Sequence, residues 1–459
     1  MENPIKTLIE TEFGFRLNQN QWRDIECLLL EIMRRDRSSP EEIVKYLKEK
    51  SRAQKHCGRE KFFYLKKTLI EKRFPITSAT AKIGAKDLFL PKQRPALADN
   101  WQTQKIFKPL KIFIEKSVKD SELAADFKKH FPGVAVEEID QYGSYLKKEK
   151  FNLGLLKKPL AFIVKEGWDF IKPCPCTSGH LGCGYWILNL GFGCPFDCSY
   201  CFLQIYTNFP GIILPANLDD FFTQFDTFHK KLQAPIRLGT GEFCDSLALD
   251  HITGYSRKLI PYFRDKNVIF ELKTKSNNIK NLLEINPPAN IVISWSLNPQ
   301  PLITVEEISV ADLAQRLEAA KQIQDKGYKI GFHFDPVIFY PGWQDAYKEL
   351  IRLLYSRLKP PFAWISIGTL RGTRELKIAS QLRFPQSDIF YGELLPGEDK
   401  KLRYPQFLRK EIYKNMVQWI RRYDKQTPVY LCMENADNWR VIGDGFSAPG
   451  KIEQYLIKC

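Results

Sequence analysis

Six short apolar runs set the fold class of this chain before any motif is considered: Trp186–Leu190, Ile236–Leu238, Val268–Leu272, Ile291–Trp295, Ile330–Phe334 and Ala363–Ile367. Helix-like segments lie between them at Leu218–Leu232, Ile252–Phe263, Ala311–Asp325 and Gln344–Leu358. Within Ala311–Asp325, Leu313, Leu317 and Ala320 fall on one helical face. Strands that alternate with helices pair in parallel, because each return crossing is made by a helix. Two earlier runs, Ile112–Glu115 and Ala161–Val164, also read as strands. Five of the six later runs lead into polar or reactive residues. These are the group Cys194, Cys198 and Cys201, then Gly239-Thr240-Gly241-Glu242, Lys273-Thr274-Lys275-Ser276, the group Ser294, Ser296 and Asn298, and His333-Phe334-Asp335-Pro336. In parallel α/β barrels the carboxyl ends of the strands converge on one mouth, and the chemistry sits there. Turn capping explains one or two polar strand ends, not five in register.

The first of these strand ends carries Cys194-Pro-Phe-Asp-Cys198-Ser-Tyr-Cys201, a C-x3-C-x2-C spacing. Three thiolates on one short loop suit three irons of a [4Fe–4S] cube and leave the fourth iron open. Zinc is the competing reading, although structural zinc wants four ligands and this loop has no histidine. Unligated thiols are the third. Six of the 11 cysteines fall between Cys174 and Cys201. Cys174, Cys176 and Cys183, with His180 nearby, are either a second metal site or a turn cluster packed beside the barrel. Cys27, Cys57, Cys432 and Cys459 show no partner pattern.

Composition narrows the class. No run approaches the 18 apolar residues of a membrane helix, and the N-terminus has no apolar signal region, so the expected setting is the reducing cytoplasm. The 459 residues carry a net charge of +16, which favours polyanionic partners such as nucleic acid. Half of that excess lies between Lys45 and Arg73, where aromatics Phe62, Phe63 and Tyr64 interleave. Ser39 and Pro40 mark a helix start, and 83–105 reads as a linker. The expected division is a basic, mostly helical extension and linker (1–105), a small α/β lead-in (106–184), the barrel (185–400) and a basic helical C-terminal region (401–459). In that last region Arg403, Tyr404 and Arg409 are candidate nucleic-acid contacts, since arginine meets phosphate and tyrosine stacks on bases.

With these residues in place, the chain resembles the radical S-adenosylmethionine (SAM) superfamily, whose hallmark is the three-cysteine spacing and whose fold is a full or partial TIM-like barrel. The expected fold is thus a partial (β/α)6 barrel with a helical basic extension. Cys198-Ser-Tyr-Cys201-Phe-Leu-Gln, Cys244-Asp-Ser246, Lys273-Thr-Lys275, Trp295-Ser296-Leu-Asn298, Gly327 to Pro336 and Tyr340-Pro-Gly-Trp343 narrow the resemblance to the spore photoproduct lyase family. The resemblance implies a [4Fe–4S] cluster on Cys194, Cys198 and Cys201. It implies SAM held by the Gly239, Gly241 and Glu242 element together with Ser246, Lys275, Ser296 and Asn298. It also implies a flavodoxin or ferredoxin as reductant, and DNA carrying a thymine photolesion as substrate. A deoxyadenosyl radical would take hydrogen from the lesion, and Cys244 would return hydrogen to the product. In the family a pair of tyrosines is thought to relay that hydrogen. Tyr200 is kept here, but Phe202 stands at the second position and has no O–H to give.

Overall fold

The computed structural model describes residues 3–51, 58–80, 107–148, 159–176, 179–207, 209–232, 234–397, 399–442 and 451–457. The linker at 83–105, together with Cys57 and Cys459, lies outside them. The chain divides into two compact units, Met1–Asp99 with Arg371–Leu408, and Asn100–Leu370 with Arg409–Cys459.

The larger unit is built from β1 (Lys111–Glu115), β2 (Ala135–Ile139), β3 (Leu160–Val164), β4 (Ile171–Pro173), β5 (Tyr185–Leu188), β6 (Ile212–Pro215), β7 (Ile236–Gly239), β8 (Val268–Thr274), β9 (Ile291–Ser296), β10 (Lys329–Val337), β11 (Ile365–Thr369) and β12 (Val429–Leu431). Its main sheet has the order β12-β11-β10-β9-β8-β7-β5-β4. All neighbours pair in parallel except β4, which runs antiparallel to β5. The central strand β9, Ile-Val-Ile-Ser-Trp-Ser, is buried at all six positions, as a strand covered on both faces must be. Local signals set each return. Asp312 and Gln315 form a capping box at the start of helix Leu313–Lys326, and Gly327 ends it at φ 107 before β10 begins.

The architecture is α/β as expected, yet the main sheet is larger than six strands. Val429–Leu431 adds a seventh parallel strand, and Ile171–Pro173 adds the antiparallel edge. Both are three residues long, too short to show a period. A second sheet, β2-β1-β3-β6, is wholly parallel. Its last strand comes from beyond the cysteine loop, so the expected boundary at 184 does not separate two sheets.

The smaller unit packs helices Pro4–Phe13, Gln19–Asp36, Pro40–Ser51 and Arg59–Arg73 around Ile9, Ile25, Leu28, Ile32, Leu47 and Leu69. Arg371–Leu408 belongs to it rather than to a barrel ending at 400, for an electrostatic reason. Buried Glu31 takes Arg73 Nε at 2.7 Å and Lys377 Nζ at 2.6 Å, and buried charges persist only when paired. Part of the basic stretch is paired inside this unit: Lys66 with Asp24 at 2.6 Å, Lys72 with Asp36 at 3.8 Å, and Lys48 with Glu12. Arg403 and Tyr404, expected on a nucleic-acid face, are buried here instead. Arg403 Nη2 lies 2.5 Å from Asp399 Oδ2. In the larger unit Arg409 is likewise buried, on Glu434. The sequence shows their charge but not the carboxylates that absorb it.

Candidate active site

The cysteine loop leaves β5 through Gly191 and Gly193, at φ 129 and 88. A Cβ on Gly193 would sit 2.5 Å from the Gly211 carbonyl oxygen, so only glycine fits. Asp197–Cys198 then pairs antiparallel with Glu307–Ile308. The Cys201 N–H donates to the Cys198 carbonyl at 3.1 Å. Gln204 Nε2 donates to the carbonyls of Ser199 (2.8 Å) and Cys198 (3.2 Å), closing the turn from inside. Cys194, Cys201, Asp197 and Gln204 line one narrow cleft. Burial, then the charge of Glu307, pushes the Cys198 thiol up, and Cys201 and Cys194 add to this. The three thiols therefore act on one another across one small space.

Among the described residues no three or more His, Cys, Asp or Glu side chains converge as around a single ion. A cube does not ask for that, because each thiolate takes a separate iron corner. The thiol-only donor set, held on a turn fixed by backbone bonds, fits such a cluster. Cys174, Cys176 and Cys183, expected as a candidate second metal site, also lie close together: a hydrogen bond with Cys176 and burial push the Cys174 thiol up, and the charge of Cys176 reaches Cys183. Cys176 N–H donates to the Cys174 carbonyl at 2.7 Å, and Cys174 N–H to that of Tyr185 at 2.9 Å, which is a turn beside the sheet.

The next strand end carries Gly239, Thr240, Gly241 and Glu242. A Cβ on Gly239 would collide with the Tyr185 hydroxyl, and one on Gly241 would meet Lys273 Cβ at 3.0 Å. Burial pulls the Lys273 ammonium down, but the charges of Glu242, Glu271 and Asp335 outweigh it and raise it. Glu242 thus faces into the strand ends. Cys244 points its thiol at the Thr240 carbonyl, 3.7 Å away. Burial, then the charge of Cys194, pushes that thiol up, which keeps it an S–H. Ser246 Oγ lies 2.7 Å from Thr240 Oγ1 and accepts from Lys273 N–H at 3.1 Å. An open cleft joins the two strand ends, lined by Gly193 and Pro195 of the cysteine loop and by Cys244 and Ser246.

Sequence reasoning missed two carboxylates. Asp245, between Cys244 and Ser246, accepts from Thr274 Oγ1 (2.7 Å) and from the N–H groups of Lys275 (2.7 Å), Leu247 (3.0 Å) and Ala248 (2.9 Å). Glu307 accepts from Tyr200 OH, from Asn298 Nδ2 at 2.9 Å and from Arg316 Nη2 at 2.6 Å, with Lys275 Nζ at 3.5 Å. Burial would raise its carboxyl, but Arg316 and Lys275 hold it down to about 2. Of the expected SAM contacts, Asn298 is committed to Glu307 and to Tyr347 OH (2.8 Å), and Ser296 is buried. His333 Nε2 sits 2.7 Å from Glu271, a core pair.

The family model "Spore photoproduct lyase" matches residues 181–418, more than half of the chain. The spore photoproduct lyase of Clostridium acetobutylicum is 27% identical over 305 residues, covering 65% of this chain and 88% of that protein. That of Bacillus subtilis is 27% identical over 170 residues, covering 36% and 49%. A solved variant of spore photoproduct lyase with bound AdoMet and dinucleoside spore photoproduct superposes with a TM-score of 0.61. It is 20% identical and covers 71% of this chain and 99% of its own. On the family match, its cysteine loop and its strand ends, the chain belongs to the spore photoproduct lyase family.

Proposed function

We propose that this chain is a radical SAM lyase that repairs a spore photoproduct-type thymine lesion in DNA. One observation carries the reading furthest: Gly193 and Pro195 of the cysteine loop line the same cleft as Cys244, and the charge of Cys194 reaches the Cys244 thiol. Held on Cys194, Cys198 and Cys201, a [4Fe–4S] cluster together with SAM would supply the 5′-deoxyadenosyl radical. The chain's own residues do the rest. Cys194, Cys198 and Cys201 hold the metal, and the glycines at 239 and 241 let backbone approach the cofactor. Glu242 meets an ammonium, while Ser246 and Lys275 offer a hydroxyl and a cation at neighbouring strand ends. Cys244 returns a hydrogen atom to the product radical, and the thiyl left behind takes one electron from the reductant and one proton to become the thiol again. The parallel strands from β5 onward are read as a partial barrel. A low-potential donor such as flavodoxin or ferredoxin would reduce the cluster, in the cytoplasm. Among the described residues no helix is long and apolar enough to cross a membrane.

The test is turnover of dinucleoside spore photoproduct by anaerobically reconstituted protein with SAM and a reductant. The expected result is two restored thymines; SAM cleavage with no repair would overturn the lesion assignment. Phe202 favours a second reading, a radical SAM reaction on another substrate. Its ring packs 5.2 Å from Tyr206 and 6.2 Å from Phe243, placing a phenyl group beside the Cys244 segment.

A further inference from the structure

Glu307 is fully buried, and so is its partner Arg316. A buried ion pair is a poor way to gain stability, since an apolar pair of similar volume does as well. What this carboxylate supplies is a fixed point. Its backbone pairs with Cys198. Its Oε2 is taken by Arg316 Nη2 at 2.6 Å, and Arg316 also donates to the carbonyls of Ser296 and Ala311, both at 2.8 Å. Its Oε1 receives the Tyr200 hydroxyl and Asn298 Nδ2. The preceding Glu306 repeats the pattern, accepting from Ser199 Oγ while its carbonyl accepts from Ser199 N–H at 2.8 Å. Three successive loop residues, Cys198, Ser199 and Tyr200, are thus tied to two successive glutamates.

We propose that Glu307 is a positioning residue: it anchors Tyr200, and with it the Cys198–Cys201 turn, in register with the strand ends that present Lys275 and Asn298. The one proton of the Tyr200 hydroxyl is committed to this bond. In this arrangement Tyr200 serves the site as a strut. The inference deepens the functional reading above, but its test does not need a cluster, so the two can fail separately.

Full-length protein purified without metal is alkylated with iodoacetamide, and each cysteine is followed by peptide mass spectrometry. Buried Cys27, in the helical unit, is the internal reference. Glu307→Ala and Tyr200→Phe should each speed labelling of Cys198 by about tenfold or more, the size of one lost hydrogen bond to a charged group. Cys27 should not change. Glu307→Gln keeps an acceptor for the phenol and should restore most of the protection. Parent-like labelling of Cys198 in Glu307→Ala, with a parent-like melting curve, would overturn the proposal. Should Glu307→Ala fail to fold, Tyr200→Phe leaves the carboxylate on Arg316 and Lys275, and parent-like labelling there would overturn it equally. Equal acceleration at Cys27 and Cys198 in Tyr200→Phe would also overturn it, because that reports general loosening.

Discussion

Cys244 Sγ lies 3.7 Å from the carbonyl oxygen of Thr240, whose own hydroxyl is 2.7 Å from Ser246 Oγ. One turn therefore presents the proposed hydrogen donor and a proposed cofactor contact together. Replacing Cys244 with Ala removes the donor and leaves the Thr240–Ser246 bond. The variant should cleave SAM at a rate within a few-fold of the parent and release an aberrant product in place of restored thymines. Product analysis by mass spectrometry decides this, and normal product would remove Cys244 from the reaction.

Asp245 holds the same turn from below. Its carboxylate accepts four hydrogen bonds, three of them from backbone N–H groups. Asp245→Ala would leave buried donors without partners, a loss of about 3 kcal/mol in unfolding free energy. Because Lys275 hangs from this carboxylate through its N–H, SAM affinity should fall as well. Urea titration and equilibrium binding of SAM measure the two effects.

Arg409 separates a structural role from a nucleic-acid role. It is buried on Glu434, which also accepts from Tyr413 OH at 2.6 Å. Arg409→Ala strands that carboxylate, which costs about 3–5 kcal/mol. DNA retention by the folded fraction, at fixed salt, should match the parent. Weakened DNA binding at unchanged stability would return Arg409 to the nucleic-acid face.

Glu166 gives the larger unit a pH signature. Burial, joined by the charge of Glu115, raises its carboxyl from 4.5 to about 7, against the opposing hydrogen bond from Tyr142. Below about pH 4.5 both folded and unfolded chains hold this proton. Between 4.5 and 7 the unfolded chain releases it first, so stability falls as pH rises through that window and levels off above it. Glu166→Gln should lack this decline. The check is the difference between parent and variant melting temperatures from pH 4.5 to 8; a flat difference would contradict the assignment.

The parallel strands were legible because β7, β8 and β9 are short, mostly apolar runs with polar tails, each interrupted once inside the run, by Arg237, Glu271 and Ser294. The three-cysteine loop was legible because Cys194, Cys198 and Cys201 lie within eight residues of one another. The three-residue strands β4 and β12 carry too little pattern, and their place is set by neighbours distant in sequence. Glu307 and Asp245 were not legible for a related reason. A glutamate between Glu306 and Ile308 looks like a solvated charge, and only the fold brings Arg316 and Lys275 to it. The misplacement of Arg403, Tyr404 and Arg409 has the same origin, since a basic, aromatic stretch reads alike whether its charges meet phosphate or a buried carboxylate.

The central claim is that Cys194, Cys198 and Cys201 hold a cluster with one iron left open for SAM. Anaerobic reconstitution followed by iron and sulfide analysis, with reductive SAM cleavage on the same sample, tests it most directly. The account predicts about four irons and four sulfides per chain. It also predicts 5′-deoxyadenosine formation that is lost when any one of the three cysteines becomes Ala. Full cleavage in a Cys198→Ala protein, or an intact cluster that never yields 5′-deoxyadenosine, would contradict it.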